Sequence, residues 1–599
     1  MSKDEVEPHR PRDRTDLRLS MKNKDVADIL ERMGTLLEIK GEIVFKTRAY
    51  FKAAETIADL PDDIETLRKE DRLMEIPGIG KTLAGKISQY LDTGRMQAYE
   101  ELTKDIPEGL LEVVRIPSIG PKKAKLFFDQ LKIRDVADLS EAVETGKLAG
   151  LPGIQEKTIE NIRRGLKIVQ EGRARMHLGA ATQVAEEFVT ALQKLPEVKA
   201  VVAAGSLRRG RETVRDIDIL IDSTDPSKVM DVFVHLPQVK SVNAHGETKS
   251  SILTRNNVQV DIRVVEPKSF GAALLYFTGS KDFNIKLRQI AIKKEMKVSE
   301  YGIFSVKGER EKMLSGKTES DCFKALGLPY VPPEMREDFA QEEFFDMLCR
   351  DSSRAVPALI EPKDIKGDLH VHSTWSDGHN TIAEMAAAAR ANGYKYLAVS
   401  DHSPRLRVAG GVKPEDLKKK KEEIDALNAK EKDFHILFGT EVEIDSDGNL
   451  DYNNTILSEF DFVIAAIHSG FEQSSEQLTK RLVKVCQNKY VHAIAHPTGV
   501  HLGKREPYHF DFKEVCAAAV DHNVCLEINA FPVRLDLNGA NVYHARKYGV
   551  KFVIDTDAHR CAHMDFMKFG VTTARRGWLT KKDVLNTASY GELIKSLKK

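Results

Sequence analysis

Three observations predict a multidomain α+β and α/β fold: an all-helical first part, an α+β centre and a distorted parallel (β/α)7 barrel at the C-terminal end. Glycine-bearing hairpins between helical stretches recur in residues 21–170. A glycine turn near residue 205 leads into a strand with two alternating aspartates. Beyond residue 366, apolar runs ending in His, Asp or Glu alternate with helical stretches, and fourteen of the 18 histidines lie there. A chain of 599 residues is too long for one core and suggests about three to five domains.

Composition narrows the classes. The 91 basic residues balance 91 acidic ones, so any nucleic-acid contact must come from local patches. The six cysteines (322, 349, 486, 516, 525, 561) form no C-x-x-C pair, which argues against a thiolate zinc site or a disulfide framework. Scattered thiols suit a reducing cytoplasm. No apolar run approaches the roughly 20 residues of a membrane span. The first 20 residues are charged and lack a signal-peptide core. A cytoplasmic monomer, associated with the nucleoid through DNA and with no membrane partner, is expected.

Taken in order, residues 1–20 read as a disordered tail. Apolar residues at helical spacing from Asp25 to Ile39 and from Phe45 to Asp59 predict a helical domain over 21–95. The turn Ile76-Pro-Gly-Ile-Gly-Lys-Thr82 runs into a helix, which presents backbone N–H groups and the positive helix end to a phosphate. Two further versions, Ile116-Pro-Ser-Ile-Gly-Pro-Lys122 and Leu151-Pro-Gly-Ile-Gln-Glu-Lys157, fall in a second helical domain, 96–170. Ser118 and Gln155 replace glycines of the pattern, so Gly78, Gly80 and Gly120 are the DNA-backbone candidates.

The centre, 171–266, carries the buried run Ala200–Ala204 and then Gly205-Ser-Leu-Arg-Arg-Gly210. Gly205 permits a tight turn, with Ser206, Arg208 and Arg209 on it. Period-two geometry puts Asp216 and Asp218 on one face of the next strand, and Asp261 belongs to another. Carboxylates this close repel unless a cation sits between them, and three of them suit a pair of Mg²⁺ (or Mn²⁺) ions. Residues 267–331 hold Tyr276-Phe-Thr-Gly-Ser280, with Asn284 and Arg288 a turn apart. Residues 332–365, opened by Pro332-Pro333 and closed by Pro357 and Pro362, read as a linker around an acidic helical piece, Glu334 to Leu348.

From residue 366 to 599, seven apolar runs end in His370 and His372 (continuing to Asp377), His402, Glu441, His468, His496, Asn529, and Asp557 with His559. Strand–helix alternation describes a parallel barrel, whose site lies where its strands finish. A lone histidine at a strand end is usually structural; nine ligand-type residues at such ends are not explained that way. A mixed His and carboxylate set suits Mn²⁺, Zn²⁺ or Fe²⁺, and nine ligands are too many for one ion, so a cluster of two or three follows.

The string from Gly205 to Leu220 resembles the nucleotidyltransferase motif of family X DNA polymerases. The resemblance implies a palm, a thumb over 267–331, and amino-terminal helix-hairpin-helix domains. It also implies that Asp216 and Asp218 hold both metals, that Asp261 serves the catalytic metal and the primer 3′-hydroxyl, and that Gly205, Ser206, Arg209 and Arg215 face the incoming dNTP. Tyr276 and Phe277 would flank its sugar beside Gly279, while Asn284 and Arg288 would touch the nascent pair; Tyr301 matches as well. Lys86 falls where the family has a Schiff-base lysine for deoxyribose-phosphate removal, although Phe45 departs from that pattern. The last third resembles the PHP (polymerase and histidinol phosphatase) superfamily, its ligand pattern matching His370, His372, Asp377, His402, Glu441, His468, His496, Asp557 and His559. Glu443 is a neighbour of Glu441, and the Gly-x-Glu context favours the latter.

The whole architecture is similar to bacterial or archaeal PolX, a polymerase β-like core fused to a PHP domain. That implies a repair polymerase acting on gapped or primed DNA with dNTPs, a second site that removes 3′ nucleotides, and cleavage at abasic sites as a further activity. Two other readings stand beside it: a PHP barrel that only positions DNA, or one that hydrolyses a small phosphate ester.

Overall fold

A computed structural model describes residues 14–598, apart from 59, 61–62, 115, 117–118, 174, 308–310, 341–343 and 346–355. The described residues form two compact units, one ending at Glu171 and the other beginning at Gly172. Of the expected tail, residues 1–13 lie outside those described. The first helix, Arg14–Lys40, takes in the rest, with no Pro or Gly between Arg14 and Ser20 to stop it.

The first unit is helical. Val26, Leu30, Met33 and Leu37 recur at helical spacing, and all are buried against Tyr50, Ala53, Ile57, Ile87 and Phe127. The first hairpin turns on Gly78 at φ +85°, with Gly80 as the N-cap of the helix Lys81–Thr93. Gly120 caps Pro121–Leu131 in the same way. In the third hairpin Gly153 adopts φ +74° before the helix Glu156–Arg173. The third turn thus keeps the left-handed glycine of the first, although Gln155 replaces its second glycine.

The second unit begins with a five-stranded sheet in the order Val198–Ala203, Asp216–Ser223, Gln259–Val265, Lys249–Thr254, Val239–His245. The pair Asp216–Ser223 and Gln259–Val265 is parallel, and the other pairs are antiparallel. Ile217, Ile219 and Ile221 face the apolar core with Phe188 and Phe233, so the alternate aspartates turn away from it. A three-stranded antiparallel sheet and the helices Phe270–Thr278, Lys281–Lys293 and Glu319–Ala325 follow.

The stretch expected as a linker is largely packed structure. Pro333–Met335 and Asp338–Ala340 are short 3-10 helices, and of the expected helical piece from 334 to 348, residues 341–343 and 346–348 lie outside those described. Arg336 is fully buried between Glu319 Oε1, at 2.7 Å, and the Val331 carbonyl. Phe344 and Phe345 are buried too, with the Phe344 ring 5.2 Å from Trp578. Flanking prolines and acidic residues suggested a linker; in its described part, one buried ion pair and two buried aromatic residues are packed against neighbouring elements.

Seven parallel strands then run in sequence order: Gly367–Val371, Tyr396–Val399, His435–Glu443, Phe462–Ala466, Ala493–Ile494, Cys525–Asn529 and Phe552–Asp555. The long third strand pairs with the second up to Phe438 and with the fourth from Gly439. First and last strands meet through Val371 and Ala558, with His372 N donating to the Ala558 carbonyl at 2.8 Å. The barrel is therefore nearly closed. Its strands are apolar on both faces because side chains fill the interior and helices cover the outside.

Candidate active sites

The parallel register pairs Asp218 directly with Asp261, and Asp216 shares the face of Asp218 two residues earlier. All three are half-buried. Burial, with Asp216 and Asp261 alongside, pushes the Asp218 carboxyl up to about 6, against the smaller opposing effect of Arg263 and Arg209. Mutual repulsion without a counter-ion is what a divalent-cation site looks like before it is loaded. Gly205 sits at φ +61°, and a Cβ there would collide with Asp218 Oδ2. Glycine is thus required both by the backbone and by the carboxylate packed on it.

Around this triad the structure gathers most of the residues expected to meet a nucleotide. Ser206 lies on the turn Gly205–Arg208. Arg215 approaches Asp216 at 3.6 Å from an exposed position. Tyr276 and Phe277 form an edge-to-face pair, and the Arg263 guanidinium covers Phe277 at 4.6 Å. Asn284 Nδ2 donates to the Tyr276 carbonyl at 2.7 Å. A Cβ at Gly279 would sit 3.1 Å from Arg209 Nη1, so that turn touches the guanidinium closely. Arg209 itself is buried, donating from Nε to Glu337 Oε1 at 2.7 Å and from Nη1 to the Thr278 carbonyl. Arg208 is tied to Glu319 by two hydrogen bonds and to Thr278 Oγ1 by a third. Arg288 is half-buried one turn beyond Asn284, and Tyr301 is exposed.

The nine barrel residues converge at the C-terminal ends of the strands. Three groups have the spacing of metal sites: His372, Asp377, His402 and His559; His370, His372 and Asp557; and His402, Glu441 and His468. Glu441 links them, with Oε2 at 2.8 Å from His402 Nδ1 and 3.4 Å from His370 Nε2, and Oε1 at 3.0 Å from His496 Nε2. Asp557 Oδ1 lies 3.2 Å from His372 Nε2. No well-directed hydrogen bond reaches the buried His370 Nε2, either ring nitrogen of His372 or Glu441 Oε2 among the described residues, although carboxylate oxygens and ring nitrogens crowd around them. Buried polar atoms are rarely left so, and a shared set of them fits divalent cations.

The electrostatics agree. Burial and the neighbouring His559 and His402 push His372 down to about 4, and burial with Arg534 pushes His496 down to about 3. Both rings are therefore neutral near pH 7, the form that ligates. Burial opposes charge on His370 and His402, yet Glu441 and the adjoining carboxylates outweigh it and raise both. Cations entering here would displace those protons.

Sequence reasoning missed the supports. Glu527 Oε1 accepts from His370 Nδ1 at 2.6 Å, and its Oε2 accepts from the His496 backbone N–H at 2.5 Å. Glu443 does the same for His468 Nδ1 at 2.7 Å. Asn529 Nδ2 donates to Asp557 Oδ2 at 3.1 Å, and Arg534 Nε lies 3.4 Å from that oxygen. Such partners fix tautomer and ring orientation. A glutamate inside the apolar run Cys525–Asn529 was the available signal for Glu527.

In the first unit, Lys86 Nζ donates to the Tyr50 hydroxyl at 2.5 Å. A Cβ at Gly80 or Gly120 would meet nothing within 4 Å, so both helix N-termini are sterically open.

Family comparisons agree region by region. A helix-hairpin-helix domain model matches 21–96, and a tandem of the same motif matches 110–167. The DNA polymerase beta thumb model matches 273–337, taking in Arg336 and Glu337 of the presumed linker, and the PHP domain model matches 368–530. A DNA polymerase/3'-5' exonuclease PolX of Bacillus subtilis is 41% identical over 581 residues, 97% of this chain and all of that protein. This chain belongs to the PolX family. Other relatives divide along its length. Rat DNA polymerase lambda is 25% identical over 344 residues, 53% of this chain and 56% of its own. A probable phosphatase of Thermoanaerobacter sp. is 31% identical over 244 residues, 39% of this chain and 94% of its own. No helix is long and apolar enough to cross a membrane among the described residues.

Proposed function

We propose that this PolX chain is a gap-filling DNA repair polymerase whose barrel removes 3′ nucleotides from the same DNA. The reading is carried by one observation: Asp218 and Asp261 paired across parallel strands with Asp216 beside them, and the Gly205 turn packed directly on Asp218. Divalent cations, Mg²⁺ or Mn²⁺ here and two or three Mn²⁺, Zn²⁺ or Fe²⁺ ions in the barrel, supply charge neutralisation and an activated oxygen nucleophile. Asp216 and Asp218 hold cations at the polymerase site. Asp261 helps to orient the primer 3′-hydroxyl, while Ser206, Arg209 and Arg215 bind the triphosphate. Tyr276, Phe277 and Gly279 hold the sugar, and Asn284 and Arg288 meet the nascent pair. The Gly78, Gly80 and Gly120 hairpins bind phosphates by backbone N–H groups, which favours sequence-independent capture.

In the barrel, His370, His372, Asp377, His402, Glu441, His468, His496, Asp557 and His559 hold the cations, and Glu527 and Glu443 fix two of the rings. Cleavage at abasic sites would use the same cluster. Lys86 is the proposed deoxyribose-phosphate lyase nucleophile. A borohydride-trapped adduct that disappears in Lys86→Ala supports the lyase, and no adduct in the parent protein ends the idea.

The deciding experiment incubates the protein with Mn²⁺ and a 5′-labelled primer on a single-nucleotide gap, with and without dNTPs. Extension lost only in Asp261→Ala, and shortening lost only in His372→Ala, would establish two separate sites. A parent protein that never shortens the primer would leave the barrel a DNA-positioning module or a phosphatase of small esters.

A further inference from the structure

We infer that Arg576, a residue of the barrel domain, positions the nucleotide-binding arginine of the polymerase site. The inference rests on the reading of Arg209 as a triphosphate ligand. Arg576 ends the helix Met567–Arg576, and this helix packs on the polymerase turn. Gly210 follows Arg209 at φ +67°, and a Cβ there would collide with Thr572 Cγ2 of that helix. Nearby, a Cβ at Gly179 would fall 2.8 Å from Pro532 Cβ, and Leu178, Leu535 and Phe569 share an apolar cluster with Leu207. The turn that carries the proposed triphosphate ligands is therefore walled on one side by the barrel domain.

Charge runs through this contact. The Arg576 side chain is 3% exposed and lies between Glu212, to which Nη1 donates, and Glu337, whose Oε2 is 3.5 Å from Nη2. Glu212 also accepts from the Gly539 backbone N–H at 3.1 Å, so it is held from the barrel side twice. The other oxygen of Glu337 takes Arg209 Nε at 2.7 Å, and Arg211 Nη1 stands 3.6 Å from Oε2. Arg209 is thus held by a carboxylate that Arg576 holds in turn. Arg209, Arg211 and Arg576 therefore share one buried carboxylate, Glu337. Without Arg576, the buried Glu337 would draw more strongly on Arg209 and Arg211, and the guanidinium offered to a triphosphate would move toward Glu337.

The geometry gives Arg576 a role in extension and none in the barrel cluster. Arg576→Gln and Glu337→Gln should each raise KM for dNTP about tenfold with a smaller change in kcat, while primer shortening on the same preparation stays within twofold. Arg576→Lys, which keeps the charge, should recover most of the loss. In a double-mutant cycle, Arg576→Gln should add little to Arg209→Ala, because both act through one guanidinium. A purely structural role would instead lower the melting temperature, extension and shortening together and leave the cycle additive, and that result overturns the inference. An unchanged KM in both Gln variants, with KM raised in Arg209→Ala, also overturns it while the reading of Arg209 survives. If Arg209→Ala leaves KM unchanged, that reading fails and the inference with it.

Discussion

The two metal-type sites of this chain solve the same charge problem in opposite ways. The polymerase carboxylates are half-buried, and burial together with their mutual repulsion outweighs Arg263 and Arg209 and drives Asp218 up. The barrel carboxylates Glu441 and Asp557 are more deeply buried, yet surrounding histidines hold both well below the ordinary range. The polymerase triad is partly open to solvent. Most of the nine barrel residues are fully enclosed, and Glu527 and Glu443 brace His370 and His468. A site that takes part of its coordination from substrate must leave oxygens unsatisfied, whereas a cluster that stays loaded is built to be complete.

Breaking each site separately gives the largest effects. Asp261→Ala should reduce extension by roughly a thousandfold or more and spare shortening, and His372→Ala should do the reverse, read on the single-nucleotide gap. The supports come next. Glu527→Gln should lower both barrel metal content, measured by elemental analysis, and shortening by about 10- to 100-fold, with extension unchanged.

The electrostatic contrast has its own test. A carboxyl raised from 3.8 to about 6 in the folded chain opposes folding above pH 6, and the penalty vanishes below its unfolded value. Metal-free Asp218→Asn should therefore melt higher than the parent at pH 7.5, by at most about 3 kcal/mol of stability. The difference should disappear near pH 3.5, and saturating Mg²⁺ should reverse the order at pH 7.5. An unchanged difference across that range would mean that Asp218 carries no such strain. The smallest effect belongs to the hairpins. Gly80 has ordinary negative φ and an open Cβ position, so Gly80→Ala should leave the melting temperature within about a degree while weakening gapped-DNA binding a few-fold.

The sequence by itself determined what depends on neighbours along the chain. Alternation put Asp216 and Asp218 on one face, the glycine at 205 marked a tight turn, and strand-end histidines announced the barrel, because strand and turn geometry have periods of a few residues. The tertiary structure decided what depends on encounters between distant segments. It set Glu527 on His370 across 157 residues and buried Arg336 and Phe344 of the stretch expected as a linker. It also brought Arg576 to Glu212 across 364. Those partners carry no local pattern: a buried glutamate or arginine looks in sequence like any surface charge until the chain closes around it.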